Sequence, residues 1–181
     1  DMGCVYTLGH QPESEVRNNV CHDVQSFNCK SQLLLCVPLV SCRHFALSAD
    51  GGWGFYTDEG SRDELFRDNI ATRTKCAGLH QHYGTDNSIT NNIFFDVNVG
   101  DVPTPGRPDV KVSDCDGAIR ASTPPAKCSS FAFTHNIVLQ PASYRGKMIT
   151  TTSSGLGLTN FTFSDNNYYN LADTAAAGGY N

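Results

Sequence analysis

A five-residue word, apolar-x-x-Asn-apolar, recurs along this chain and restricts its folds more than any other feature. It reads Val16 with Asn19 and Val20, Phe66 with Asn69 and Ile70, Ile89 with Asn92 and Ile93, and Phe133 with Asn136 and Ile137. A fifth copy, Phe163 with Asn167 and Tyr168, is slipped by one residue. The asparagine intervals are 50, 23, 44 and 31 residues, which fit two turns, one turn, two turns, and one turn with a longer loop of a coil. Within each copy, β-branched or aromatic residues alternate with polar ones and run into Asn, Asp or Gly, the pattern of a short strand ending in a turn. An asparagine repeated in register can sit at the corner of every coil, tolerate left-handed backbone, and bond the next turn through its amide. One Asn pair means no more than a hairpin turn. Five copies predict an all-β fold, a right-handed parallel β-helix.

Length and charge narrow the classes further. The 181 residues with 39% apolar content suit one β-helix domain over 1–181. Within it, 29–50 reads as an atypical insertion, because Leu33-Leu34-Leu35 and Val37 to Val40 show neither alternation nor an Asn word. A Pro-rich loop, 100–113, carries Pro103, Pro105 and Pro108. No amphipathic capping helix and no secretory leader precede Val5, so the sequence reads as a fragment without its N-terminal cap. A net charge of −5 argues against nucleic acid as a partner. The longest apolar run, Leu33 to Val40, falls short of the roughly 18 residues needed to span a membrane.

Eight cysteines, at 4, 21, 29, 36, 42, 76, 115 and 128, together with the sequon Asn160-Phe161-Thr162, point to an extracellular, glycosylated protein with disulfides. Cys115 and Cys128 flank a loop with Pro124 and Pro125 and make the expected bridge. Cys76 reads instead as a buried inward position. Cys29, Cys36, Cys42 and His44 lack the tight spacing of a zinc site.

The densest set of ionisable side chains lies between Gly51 and Gly84. Gly-Gly-Trp-Gly-Phe-Tyr-Thr-Asp-Glu-Gly-Ser (51–61) is answered by Gly-Leu-His-Gln-His-Tyr-Gly (78–84), with His80 following Asp58 by 22 residues. A coil of that period stacks Asp58, Glu59, His80, His82 and Tyr83 on neighbouring turns. In a strand the adjacent Asp58 and Glu59 point to opposite faces, so a second carboxylate would come from Asp23, Asp86, Asp96 or Asp116. His80 and His82, two apart, share a face and suit general acid or base work. Trp53, Tyr56, Gln81, Tyr83 and Arg120 are the expected substrate-binding residues, the rings stacking on sugars and Arg120 reaching a carboxylate or hydroxyl. No cofactor is expected. Two histidines and a carboxylate fix no third strong metal ligand, although a divalent cation such as calcium would fit oxygen donors of this kind.

These motifs, with Asn-Asn-Ile-Phe, Tyr-Thr-Leu-Gly-His-Gln-Pro (6–12) and Asn-Asn-Val-Cys-His-Asp-Val (18–24), resemble the right-handed parallel β-helix proteins grouped around glycoside hydrolase family 141. The resemblance implies an extracellular carbohydrate-active protein, with fucosidase and xylanase activities known in the family. It also implies a site built from His22, Asp23, Asp58, Glu59, His80 and His82, acting on a polysaccharide or glycan. The reading from another class is a non-catalytic structural, filament or glycan-binding glycoprotein that self-associates.

Overall fold

The structure, a computed structural model, describes residues 3–24, 51–100, 117–123, 129–144, 146–153 and 161–171. Every regular element among them is a strand. Coil 1 comprises β1 (Gly3–Thr7), β2 (His10–Arg17) and β3 (Val20–His22), and coil 2 comprises β4 (Trp53–Thr57), β5 (Arg62–Arg67) and β6 (Ile70–Thr72). Coil 3 follows with β7 (Leu79–His82), β8 (Asn87–Thr90) and β9 (Ile93–Phe95). Coil 4 holds β10 (Ile119–Thr123), β11 (Phe131–Thr134) and β12 (Ile137–Gln140), and coil 5 holds β13 (Ile149–Ser153), β14 (Phe161–Ser164) and β15 (Asn167–Asn170). The first strands of the five coils form parallel sheet A (β1-β4-β7-β10-β13). The second strands form sheet B and the third strands sheet C, each again of five parallel strands. This is the expected right-handed parallel β-helix.

The Asn words make the corner between sheets B and C. The Asn69 side-chain oxygen accepts the backbone and side-chain N–H groups of Asn19, and the relation repeats from Asn69 to Asn92, Asn92 to Asn136 and Asn136 to Asn166 at 2.8 to 3.2 Å. Each amide also donates to the carbonyl of the apolar residue that opens the word one coil below: Val16, Phe66, Ile89 and Phe133. Two details differ from expectation. The fifth ladder residue is Asn166, which restores the register, while Asn167 is the first residue of β15. The left-handed residue is the one before the ladder asparagine, Asn18, Asp68, Asn91, His135 or Asp165, with φ between 56° and 58°. That leaves the ladder amide itself free to bridge coils.

Apolar side chains stack in register from coil to coil, buried or partly buried except at the exposed Tyr168 of coil 5. Val16, Phe66, Ile89, Phe133 and Phe163 form one column along sheet B, and Cys21, Ala71, Phe94, Val138 and Tyr168 align along sheet C. Where sheet C meets sheet A, paired sizes compensate. A Cβ on Gly54 would come 2.9 Å from the Cβ of Ala71, and one on Gly78 would come 2.6 Å from the Phe94 ring. In coil 1 a disulfide between Cys4 and Cys21 fills the same corner. This bridge was not legible in the spacing. Cys76 is also disulfide-bonded, which corrects its reading as a lone buried thiol.

Coil 1 rests directly on coil 2, β1 on β4 and β3 on β6, although Val24 and Gly51 are far apart in sequence. The expectations for 29–50, for Cys115 with Cys128, for the loop after Gly100 and for Asn160 lie outside the described residues. No helix among the described residues is long and apolar enough to cross a membrane.

Candidate functional site

Sheet A alternates. Phe55, Leu79, Ile119 and Ile149 point into the core, and the next row, Tyr6, Tyr56, His80, Arg120 and Thr150, faces outward in register. The core pairing of Phe55 with Leu79 sets the offset between coils 2 and 3 at 24 residues, not 22. His80 therefore lies opposite Tyr56, and Asp58 meets His82. Asp58 and His80 still occupy adjacent coils, as the sequence suggests.

Asp58 stands just past the end of β4, where its carboxylate is well served by donors. The Tyr6 hydroxyl donates to Oδ2 at 2.6 Å, and His82 Nδ1 lies 2.8 Å from Oδ1. Burial raises the Asp58 carboxyl, but hydrogen bonds from Tyr6, His82, the Glu59 N–H and Tyr56 outweigh it and hold the group below the usual carboxylate range. The same bond seen from the other side pushes the Tyr6 phenol up to about 12. Because the ionised Asp58 oxygen can only accept, the hydrogen in its bond to His82 sits on Nδ1.

Glu59 is exposed and lies in the turn after Asp58, where strand alternation no longer applies. Donor oxygens of Asp58 and Glu59 and a His82 ring nitrogen fall within 4.8 Å of one another. The two carboxylates thus converge, contrary to the expectation that they point apart. Asp23, Asp86 and Asp96 do not join this group, and Asp116 lies outside the described residues. A divalent cation would fit the spacing, yet it would have to compete with Tyr6 and His82 for the Asp58 oxygens.

His80 is buried, sandwiched between the Tyr56 ring, parallel at 4.8 Å, and the Trp53 ring at 4.2 Å. Its Nε2 is 2.8 Å from Ser122 Oγ. Burial, helped by the positive Arg120, pulls the imidazole from 6.5 to about 3, so it is neutral near pH 7. Arg120 lies over Trp53, 5.4 Å from the ring centroid. Trp53 and Tyr56 are themselves buried, so they support His80 and Arg120 rather than present free faces to a sugar. Tyr83 packs edge-on against His82 and is tied to Glu59.

Other expected members lie elsewhere. Gln81, between the two histidines, points into the coil and donates to the Gly84 and Ser130 carbonyls at 2.9 and 2.8 Å. His22 ends β3 and Asp23 follows it at another corner, a strand length or roughly 16 Å from Asp58. There Asp23 takes two 2.6 Å bonds from Arg73 and one at 2.8 Å from His22, an exposed structural pair. Tyr6 and Ser122 are site residues that the sequence reading missed. Only the register of β1 and β10 on their neighbours brings them in.

No protein-family model, curated protein or solved structure matches this chain.

Proposed function

We propose that this chain is an extracellular carbohydrate-active β-helix protein, and that the sheet A site cleaves glycosidic bonds of a polysaccharide by a retaining mechanism. The observation that carries the reading is the convergence of Asp58 and Glu59, with Asp58 held ionised by Tyr6 and His82. Retaining glycosidases keep their carboxyl groups about 5–5.5 Å apart, and inverting enzymes about 6.5–9.5 Å. The spacing here, within 4.8 Å between donor atoms, favours the first. Asp58 attacks the anomeric carbon while Glu59 protonates the departing glycosidic oxygen, giving a glycosyl ester on Asp58. Glu59 then takes a proton from water, which attacks the same carbon and frees Asp58. Tyr6 and His82 remain on the Asp58 oxygens throughout and spread the charge that returns to them. Neither step calls for a cofactor, and calcium at the carboxylates would oppose both. The Cys4–Cys21 disulfide supports an oxidising, extracellular location.

The test is a screen of plant and algal polysaccharides with the intact protein, reading released reducing ends. Asp58→Asn is expected to abolish release, and Glu59→Gln to lower it by about 10²- to 10⁴-fold, with unfolding midpoints little changed. Both substitutions should matter, because both carboxylates face the site. Full activity in either variant would overturn the assignment.

One observation favours a second, non-catalytic reading. Val20, Ile70, Ile93 and Ile137 stack in register on the outer face of sheet C and are exposed. Such a stripe suits face-to-face assembly of a structural glycoprotein. Ordered fibres in electron micrographs, with no reducing ends from any substrate, would decide for it.

A further inference from the structure

Four buried polar atoms on one part of sheet A have no hydrogen-bond partner among the described residues: Trp53 Nε1, His80 Nδ1, Arg120 Nε and Thr150 Oγ1. They belong to one locality. His80, Arg120 and Thr150 are register partners on β7, β10 and β13, and the Trp53 ring touches His80 and underlies Arg120. Trp53, His80 and Thr150 are each more than nine-tenths buried, at 2%, 6% and 6% exposure. Native structures rarely leave buried polar groups unpaired, so four together mark a place that a ligand fills.

The chemistry of the four selects the ligand. The indole and guanidinium nitrogens only donate, and the threonine hydroxyl is free to donate. His80 Nδ1 donates as well when Ser122 gives its proton to Nε2, the bond already in place. Among the described residues the charge is uncompensated too. Arg17, Arg62, Arg67 and Arg73 each pair with a carboxylate at 3.3 Å or less. Arg120 has no acidic partner among the described residues. The nearest acids of the site, Asp58 and Glu59, follow β4, two strand spacings or ~10 Å along the coil axis from β10.

We propose that Trp53, His80, Arg120 and Thr150 form an anion-binding subsite, and that the glycan bound along sheet A carries an acidic group there, a uronate carboxylate or a sulfate ester. This rests on the glycan-cleaving reading above and narrows its substrate class. The guanidinium fork, held over the Trp53 ring, suits either planar carboxylate or sulfate oxygens. A glycan lying along the axis reaches this row and the Asp58 carboxylate together.

Reducing-end release is measured on oligogalacturonate, a sulfated galactan oligosaccharide and a neutral xylo-oligosaccharide, with wild type, Arg120→Met and Arg120→Lys. The proposal expects wild type to prefer an acidic substrate. Arg120→Met should lower the acidic-to-neutral ratio of kcat/KM by about 10- to 100-fold, mostly through KM, and Arg120→Lys should restore part of it. The oligogalacturonate and sulfated arms tell carboxylate from sulfate. Preference for the neutral substrate, or an unchanged ratio in Arg120→Met, overturns the subsite and leaves the hydrolase standing. If wild type cleaves none of the three, calorimetric titration with the same oligosaccharides takes over. Binding of an acidic one that is lost in Arg120→Met keeps the subsite without the hydrolase, and absence of such binding overturns it.

Discussion

His80 shows how one residue can link the stability of sheet A to its site. The ring is buried as neutral imidazole between Trp53 and Tyr56, with its proton affinity lowered from 6.5 to about 3 by burial and by Arg120. Between those two values the unfolded chain binds a proton at this position and the folded chain does not. Stability therefore falls as pH drops from about 6.5 towards 3, by an amount on the order of a few kcal/mol. Asp58 contributes in a lower window. Its folded affinity lies beneath the ordinary 3.8, so its contribution is complete above that value and is lost only as pH falls further. Across the interval from about pH 4.5 to 6.5 the buried Glu64 acts in the opposite sense, because burial raises its carboxyl above the ordinary 4.5, so the histidine's share is read as the difference between wild type and a variant. Urea midpoints measured across that interval should slope less in His80→Gln than in wild type, and equal slopes would show that His80 is not buried neutral. The site residues themselves were legible only in part. Asp58, Glu59, His80 and His82 stand out because acids and imidazoles cluster in so short a stretch. Tyr6 and Ser122 do not, because a lone tyrosine or serine gains meaning only from the strand stacked against it.

At the scale of the element, the Asn corner explains why the fold was readable and the register was not. A ladder amide has to recur at every coil, because each side-chain oxygen serves the coil below and each amide serves the carbonyl of that coil's opening apolar residue. That demand writes itself into sequence as a repeated word. The last copy was misplaced by one residue because Asn166 and Asn167 are neighbours, and only the bonds of Asn136 tell them apart. The offset between β4 and β7 carries no comparable signature. It follows from which apolar residues share the core, Phe55 with Leu79, and from the turn after β4, so a 22-residue match of polar residues misjudged it by two. The ladder yields a stability prediction. Asn92 is buried and bonds both Asn69 and Asn136, so Asn92→Ala removes the side-chain donor to the Phe66 carbonyl and the side-chain acceptor of the Asn69 N–H. At about 1–3 kcal/mol per lost partner, a loss of roughly 3 kcal/mol is expected in denaturant melts. Asn19→Ala, whose oxygen serves no lower coil among the described residues, should cost less. Equal losses at the two positions would mean that the ladder does not act as a chain of bridges.

Across the whole molecule, coil 1 joins structure to chemistry. It supplies Tyr6, whose hydroxyl holds one Asp58 oxygen, and Thr7, which donates at 2.8 Å to the buried Glu64 inside the coil. In a solenoid each coil is stabilised mainly by its neighbours, so the attachment of coil 1 to coil 2 decides whether the Asp58 environment persists. The Cys4–Cys21 disulfide ties β1 to β3 across a separation of 17 residues. Its place could not be read from eight cysteines, because connectivity depends on which residues the coil brings to one corner, here the corner that glycines 54 and 78 fill in the coils above. Closing a loop of that length contributes about 3 kcal/mol. The double variant Cys4→Ser, Cys21→Ser should therefore lower the stability of coil 1 selectively, and hydrogen exchange should show β1 to β3 opening more readily while β8, β9, β11 and β12 keep their protection. Loss of Tyr6 from Asp58 should raise the carboxyl affinity, so the acidic limb of the proposed glycan cleavage should move to higher pH in the double variant and, to a similar extent, in Tyr6→Phe. An acidic limb that stays in place in both variants would separate coil 1 from the site and leave its disulfide a purely structural clamp.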